Sequence, residues 1–172
     1  SRRSSPACAR SASRHSRAPA WLRITLYVSM ASNAPTRRLR ARAYRLSTQP
    51  CRKLASRVRS LEIFPELAEQ ARANLLAARI NNVSVEAADA MQLNEQSAYD
   101  VIAVTGSLPI YDERFQQALR IGGRLFVVVG QAPIMEAWRV VRVGEREWQR
   151  QALFETVLEP LVNAARPSAF VF

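Results

Sequence analysis

Residues 58–75 read VRSLEIFPELAEQARANL, and they are the most informative part of the chain for the fold because a strand, an acid and a helix follow one another directly. Residues 58–63 are predicted to form a short strand that carries Glu62 near its end. Phe64-Pro65 interrupts the strand, and proline is favoured at the first position of a helix, where its missing N–H costs nothing. A helix is therefore predicted over residues 65–79. Its predicted apolar stripe consists of Leu67, Ala71, Leu75 and Ala78.

The same alternation of strands and helices continues along the chain. Further elements are predicted at residues 83–87 (strand), 99–105 (strand), 112–120 (helix) and 125–129 (strand), with a turn at Ile121-Gly122-Gly123-Arg124. The strand at 99–105 is almost continuously apolar, which is typical of a strand covered on both faces of a parallel sheet. This order predicts an α/β protein with a doubly wound, mostly parallel sheet.

The last third of the chain has a different pattern. Residues 138–143 and 148–157 contain alternating side chains on either side of Gly144-Glu145. Two such segments joined by a short turn are typical of an antiparallel hairpin. We therefore expect the parallel sheet to end in an antiparallel C-terminal hairpin, in which Trp138 and Trp148 pack against the sheet rather than stack on a ligand.

The charge of the chain is sharply divided. Residues 1–60 contain fourteen Arg, one Lys and no acidic residue, whereas residues 61–172 contain ten Arg and all fourteen acidic residues. The formal charges of the two parts are therefore +15 and −4, so the net charge of +11 describes a basic leader and not the folded part. The folded part does not have the uniformly basic surface that indicates nucleic-acid binding. We divide the chain into a leader, residues 1–57, and a domain, residues 58–172.

Four explanations of the leader remain open. It could be a disordered basic tail that contacts nucleic acid, an organelle transit peptide or a secretory signal. It could also be non-native sequence, produced by a shifted reading frame or a wrongly predicted start. One part of it has strand periodicity, because aliphatic side chains alternate with others at Leu22, Ile24, Leu26 and Val28.

The cysteine and histidine content argues against a metal site. Cys8 and Cys51 form no CxxC pair, and His15 is the single histidine. Residues 58–172 contain no cysteine, which suits a reducing compartment. No apolar run reaches the roughly 18 residues needed to span a bilayer, so no membrane partner is expected.

The amino-acid sequences of these segments are more specific than the order of the strands and helices. The chain resembles the protein-L-isoaspartate O-methyltransferase family, a group of class I, Rossmann-like, S-adenosylmethionine-dependent methyltransferases, over about residues 54–172. The segments that carry the resemblance are SLEIFPELAEQARANL (60–75), NVSVEAADA (82–90), YDVIAVTGSLP (99–109), LRIGGRLFVVVG (119–130) and LFETVLEPLV (153–162).

The resemblance implies an enzyme that transfers a methyl group from S-adenosylmethionine to a carboxyl oxygen of isoaspartyl residues in damaged proteins. Positioning would provide most of the rate, since a carboxylate is already a competent nucleophile. No metal is implied, and the catalytic residues are not identified. The resemblance further implies a cytoplasmic, monomeric protein-repair enzyme whose partners are isoaspartyl proteins or peptides, with no nucleic acid apart from what the leader contacts.

Six residues at strand ends are expected to bind the cofactor. Glu62 would accept hydrogen bonds from the ribose hydroxyls, Asp89 would approach the adenine, and Gly106 would border the transferring methyl group together with Ser107. The full expected set is Glu62, Ile63, Asp89, Ala90, Thr105 and Gly106. Ordinary structural roles stay open for each of them: a helix-entry acid for Glu62, and turn formation for Asp89 and Gly106.

The chain departs from the family pattern in its first half. The family's first strand leads into a glycine-rich loop, because a side chain there would block the approach of the cofactor. No glycine precedes Gly106, so this loop is absent, and the first strand is expected to be missing unless residues 21–28 replace it. We therefore hypothesise that the chain binds the cofactor poorly and is inactive. The alternatives are a methyltransferase with another substrate and a non-catalytic, degenerate domain with a basic nucleic-acid-binding arm.

Overall fold

The computed structural model of the chain describes Thr25–Val28 and residues 56–168. Seven strands of these residues form one sheet in the order β3-β2-β1-β4-β5-β6-β7. The elements are β1 (Thr25–Val28), β2 (Val58–Glu62), α1 (Pro65–Ala77), β3 (Val83–Ala87), a 3₁₀ turn (Ala90–Gln92), β4 (Tyr99–Leu108), α2 (Glu113–Gln117), β5 (Leu119–Gln131), β6 (Ile134–Gly144) and β7 (Glu147–Glu155).

The sheet confirms the predicted α/β class. β3, β2, β1, β4 and β5 are parallel, while β6 and β7 run antiparallel to their neighbours and form the expected C-terminal hairpin. The two helices lie on opposite faces. Phe115 of α2 belongs to the main core cluster with Leu61, while α1 packs on Val85, which is level with Ser60. Successive strand residues point to opposite faces, so the sheet is doubly wound.

The middle one of the five parallel strands is β1, which lies inside the leader. It pairs in parallel with β2 on one side and with β4 on the other, and Val28 is level with Leu61 and Val104. The structure therefore follows the stated alternative, in which part of residues 21–28 replaces the first strand. The place between two parallel strands needs an extended segment to satisfy both backbone edges, and Thr25–Val28 provides it. Residues 1–24 and 29–55 of the leader lie outside the described residues, the explanations offered for the leader stay predictions, and so does the boundary at residue 57.

Helix α1 ends earlier than predicted. It stops at Ala77, and Arg79 has a φ of 52°, so the chain leaves the helix in the left-handed conformation. The N–H groups of Arg79 and Ile80 donate to the carbonyls of Leu76 and Leu75, which is the bonding pattern of a Schellman motif. Two members of the expected stripe differ, because Ala68 is buried in place of Leu67 and Ala78 is exposed. The buried side chains of α1 are Ala68, Ala71 and Leu75.

Helix α2 is shorter than predicted and β5 is longer. β5 already begins at Leu119, so the expected turn at residues 121–124 is part of the strand. Leu119 pairs with Tyr99 and Arg124 with Val101, and the register shift between these pairs takes up the extra residues. Gly122 has a φ of 82°, which explains why glycine stands inside this irregular strand. Among the described residues no helix is long and apolar enough to cross a membrane.

A charged network connects β2, β3 and the start of β4. The guanidinium of Arg59 donates to both carboxylate oxygens of Glu86 at 2.9 and 2.7 Å, and also to Glu95 and to the hydroxyl of Tyr99. The hydrogen bond with Glu86 is the main cause that raises the pKa of Arg59 above its ordinary value. Burial raises the pKa of Glu95, but the hydrogen bond and charge of Arg59 outweigh it, and the net pKa of Glu95 is lowered.

Candidate functional site

The candidate site lies where the strand order reverses. After β1 the chain adds β2 and β3 on one side of it, and it then returns to add β4 and β5 on the other. In open α/β sheets, ligands bind in the crevice outside the carboxyl ends of the strands at this switch point. Val28 is level with Leu61 and Val104, so the next residues, Glu62 and Thr105, stand on either side of the end of β1.

Glu62 is the last residue of β2 and is only 1% exposed. Its Oε1 accepts a hydrogen bond from the N–H of Phe64 at 3.2 Å, while its carbonyl accepts one from Ala88 at 3.0 Å. Phe64 caps helix α1 without a side-chain hydrogen bond, so the carboxylate of Glu62 serves the helix entrance. Ile63 is half-buried in the bend between β2 and α1.

Asp89 follows β3 and caps the 3₁₀ turn. Its Oδ1 accepts from the N–H of Met91 at 2.8 Å, and its Oδ2 accepts from the side-chain amide of Asn163 at 2.9 Å. Ala90, the first residue of the turn, is buried in the main core cluster. The structural role considered for Asp89, that of a turn former, is therefore present, and this role fixes the carboxylate at the carboxyl end of β3.

Thr105 and Gly106 do not follow β4 as expected but lie inside it. β4 continues to Leu108, and its register with β5 shifts between Ala103 and Ser107. Three residues of β4 therefore stand opposite one residue of β5, which is a bulge, and bulges redirect side chains next to functional sites. The prediction that the strand ends at Thr105 failed because β4 finds a second pairing partner beyond the end of β1.

That partner is the C-terminal strap, which we define as residues 158–163. Ser107 pairs in parallel with Pro160. This pair lies on the side of β4 on which β1 pairs with residues 101–104. The N–H of Ser107 donates to the carbonyl of Glu159, its carbonyl accepts from Leu161, and its hydroxyl donates to the carbonyl of Leu158, each at 2.9 Å. Ser107 is fully buried, so these bonds anchor the strap to the interior.

The strap runs across the carboxyl edge of the sheet. It is tied to β4 at Ser107 and to the end of β3 through Asn163 and Asp89, and β1 and β2 lie between these strands. Three strand spacings are roughly 14 Å, and the strap together with the side chains of Asn163 and Asp89 bridges this distance. Leu161, a residue of the strap itself, is buried in the main core cluster. The strap therefore forms one wall of the crevice.

The sequence did not reveal the strap. Asp89 and Asn163 are 74 residues apart, and a polar residue after a Pro-Leu pair carries no signal of a partner so far away. The bonds of Ser107 involve backbone atoms of the strap, which leave no mark on side-chain identity. The one feature that the sequence could have indicated is the turn between Leu161 and Ala164. Asn163 lies in this turn with a positive φ, a conformation in which Asn is favoured.

The two tryptophans have internal partners, as the prediction of packing requires. The indole N–H of Trp138 donates to Glu136 at 2.6 Å, and that of Trp148 donates to the carbonyl of Gln116 at 3.0 Å. Trp138 also contacts Tyr111, with 5.6 Å between ring centroids. Burial raises the pKa of Tyr111 to about 12, against the opposing charge of Arg150, whose guanidinium lies 4.3 Å from the ring centroid.

A groove of about 690 Å³ lies elsewhere in the molecule. It is lined by Ser97, which precedes β4, and by Arg142, Arg146 and Trp148 of the hairpin. This is the amino end of the parallel strands, opposite to the switch point, so the groove is not part of the crevice. Among residues 56–168, no group of three His, Cys, Asp or Glu side chains could hold a metal ion.

Comparison with known proteins decides the family. The family model described as protein-L-isoaspartate(D-aspartate) O-methyltransferase matches residues 48–166. The chain belongs to this family. Relatives named protein-L-isoaspartate O-methyltransferase include those of Syntrophotalea carbinolica, 32% identical over 111 residues, and Staphylothermus marinus, 35% identical over 108 residues. These alignments cover 64% and 62% of this chain but 51% and 48% of the relatives, so the chain spans about half the length of either family member.

Solved structures show the same fold. A protein-L-isoaspartate O-methyltransferase structure matches with a TM-score of 0.60 at 20% identity, over 81% of this chain and 41% of the other. A Plasmodium falciparum member of the family, crystallised with S-adenosyl-L-homocysteine, matches with a TM-score of 0.58 at 15% identity, over 80% of this chain and 65% of the other. The fold of the isoaspartate methyltransferase family is therefore shared with this chain.

Proposed function

We propose that the crevice binds S-adenosylmethionine and that the domain methylates the carboxyl group of isoaspartyl residues, which is the reaction its family name describes. One observation carries the proposal. In a chain of this family, Glu62 and the Thr105 bulge stand level on either side of the end of β1, at the switch point of the sheet. Ligands of such sheets are held at that point by side chains from several strand ends.

The adenosine half of the cofactor fits the residues present. Glu62 ends β2 and Asp89 follows the neighbouring strand β3, in which Ala87 pairs with Glu62. A carboxylate has about four acceptor positions, so the contacts of Asp89 with Met91 and Asn163 still allow a further donor. Glu62 is buried, so the ribose hydroxyls would bind its carboxylate after they displace the protein groups that cover it. Asp89 and Ala90 would bind the adenine.

The methionine half fits less well. The residues after β1 are Ser29, Met30, Ala31 and Ser32, and none of them is the glycine that a close backbone approach favours. The completed sheet removes one of the two reasons for expecting poor binding, namely the missing strand, but this second reason remains. We therefore propose that the chain binds the cofactor through its adenosine half and transfers the methyl group slowly.

The chemistry requires little from the side chains. When bound, S-adenosylmethionine supplies an electrophilic methyl group. The substrate carboxylate attacks without prior loss of a proton, so a general base is unnecessary, and residues 58–172 contain no histidine. The bulge at Thr105 and Gly106 would border the methyl group and align the carboxylate with it. Alignment of this kind supplies much of a rate enhancement.

We further propose that the protein acts as a monomer in protein repair in the cytoplasm. The absence of cysteine from residues 58–172 supports a reducing compartment. The proposed partners are isoaspartyl proteins and peptides, and the basic leader is the one part for which a nucleic-acid contact is considered.

Methyl transfer to peptides tests the proposed function. The chain is incubated with S-adenosylmethionine labelled in the methyl group and with two peptides that differ only in one isoaspartyl or aspartyl residue. We expect base-labile label in the isoaspartyl peptide alone, at a rate that Glu62→Gln lowers and Glu66→Gln, an exposed change four residues away, leaves unchanged. Label in neither peptide, with a chain that binds the cofactor, would point to another substrate.

A further inference from the structure

Asn163 is the strap residue that reaches the far side of the crevice. The N–H of Ala164 donates to the carbonyl of Leu161 at 3.2 Å, so Asn163 occupies the third position of a four-residue turn. Its φ is 64°, and a positive φ at this position is the mark of a type II turn, which favours Gly or Asn. The turn alone therefore explains a small residue here but not the choice between these two.

The contact with Asp89 accounts for the amide. The Nδ2 of Asn163 donates to Oδ2 of Asp89 at 2.9 Å, while Oδ1 accepts from the backbone of Met91 at 2.8 Å. Both oxygens of the carboxylate are thus held by donors from different parts of the chain. Without Asn163, the carboxylate would keep one local bond and gain freedom to rotate about it.

We infer that Asn163 is a positioning residue of the crevice. It fixes the carboxylate of Asp89 in the orientation that receives the amino group of the adenine, and it keeps the strap across the strand ends while the cofactor is bound. This inference rests on the proposed function, because it concerns the adenine side of the same crevice. Binding and strap closure are then coupled, and such coupling is reciprocal. Closure of the strap raises the affinity for the ligand by the same factor by which the bound ligand favours the closed strap.

Three forms of the chain separate the amide from the turn. Asn163→Gly preserves the positive φ and removes the donor, whereas Asn163→Asp tolerates the turn and places a like charge beside Asp89. Val162→Ala, an exposed change one residue away, is the matched control. Affinities are measured by calorimetry for S-adenosylhomocysteine and for S-inosylhomocysteine, in which a carbonyl oxygen replaces the amino group.

The unmodified chain and Val162→Ala are expected to prefer S-adenosylhomocysteine. In Asn163→Gly its affinity falls about tenfold or more, as for one hydrogen bond to a charged group, and the preference over S-inosylhomocysteine shrinks. Asn163→Asp lowers the affinity further. A merely structural role of Asn163 would weaken both ligands equally, so an unchanged preference in Asn163→Gly overturns the inference while leaving the proposed function intact.

Hydrogen exchange tests the strap without reference to catalysis. The N–H of Leu161 donates to the carbonyl of Ser107 at 2.9 Å, so its exchange with solvent requires the strap to open. We expect faster exchange of the Leu161 amide in Asn163→Gly than in Val162→Ala, and slower exchange in the unmodified chain when S-adenosylhomocysteine is present. If the unmodified chain binds neither ligand, the proposed function and the positioning role both fail. Equal exchange rates in the two variants contradict the strap contact itself.

Discussion

At the scale of single residues, Arg79 stands in a backbone conformation that arginine disfavours. It ends helix α1 with a φ of 52°, and its backbone N–H completes the Schellman pattern that glycine usually serves. A side chain costs energy in the left-handed region because Cβ approaches the following carbonyl. Arg79→Gly is therefore expected to raise the free energy of unfolding by about 0.5–1 kcal/mol.

Urea denaturation measures this effect, with Arg79→Ala as the control. Alanine removes the same side chain but keeps Cβ, so its midpoint should stay at or below that of the unmodified chain. A lower midpoint for Arg79→Gly than for Arg79→Ala would show that the left-handed conformation is not a source of strain.

The residues of the site were predictable where a strand ends in a recognisable motif. Glu62 could be placed because it precedes Phe64-Pro65, and Asp89 because an apolar strand leads to it. Both lie at carboxyl ends of strands, although their roles in binding stay predictions. Asn163 could not be found in the same way, since its importance depends on a partner that only the folded chain brings near.

At the scale of elements, the strap depends on Ser107. Its hydroxyl donates to the carbonyl of Leu158 at 2.9 Å in a fully buried position. Ser107→Ala removes the donor and leaves that carbonyl short of a partner, so we expect a loss of about 1–2 kcal/mol in the free energy of unfolding. Thermal denaturation would check this, with Ser84→Ala as the control, because the hydroxyl of Ser84 is exposed and its bond to Val58 is long, at 3.4 Å.

The hydrogen bonds between the strap and Ser107 also explain why the end of β4 was mispredicted. The sequence pattern marks Thr105 and Gly106 as the end of a strand, but the strap continues the ladder past them. Equal stability of Ser107→Ala and Ser84→Ala would mean that the strap adds nothing to β4.

The charged network makes stability depend on pH. The folded-state pKa of Glu95 is lowered, so its contribution is present above the unfolded-state pKa of about 4.3 and is lost as the pH falls through the lower, folded-state value. Glu95→Gln removes this contribution. The variant should be less stable than the unmodified chain at pH 7, by less than about 1 kcal/mol for a partly exposed pair, and the difference should shrink on acidification.

Denaturation midpoints measured between neutral pH and pH 3 would show this convergence. Glu69→Gln, on the exposed side of α1, is the control and should run parallel to the unmodified chain at every pH. A difference between Glu95→Gln and the unmodified chain that stays constant, or grows, as the pH falls would contradict the assigned direction of the pKa shift.

At the scale of the whole molecule, the alternation of strands and helices was enough to predict the doubly wound sheet and its hairpin. The centre of the sheet was not predictable to the same degree. β1 has four residues and is surrounded by a leader without glycine, so its local pattern was weak. Its place follows from pairing with Leu61 and Val104, which are 33 and 76 residues further along than Val28, and such long-range pairing is invisible to local periodicity.

The switch-point crevice between Glu62 and Thr105 is the proposed binding site of the S-adenosyl cofactor. Calorimetric titration of the full 172-residue chain with S-adenosylhomocysteine tests it most directly. We expect one binding site per chain and, in Glu62→Gln, an affinity lower by about tenfold or more, since hydrogen bonds to a carboxylate contribute roughly 1.5–3 kcal/mol each. Glu66→Gln should bind like the unmodified chain. No heat of binding from a chain that unfolds cooperatively, or equal affinities in Glu62→Gln and Glu66→Gln, would contradict the account.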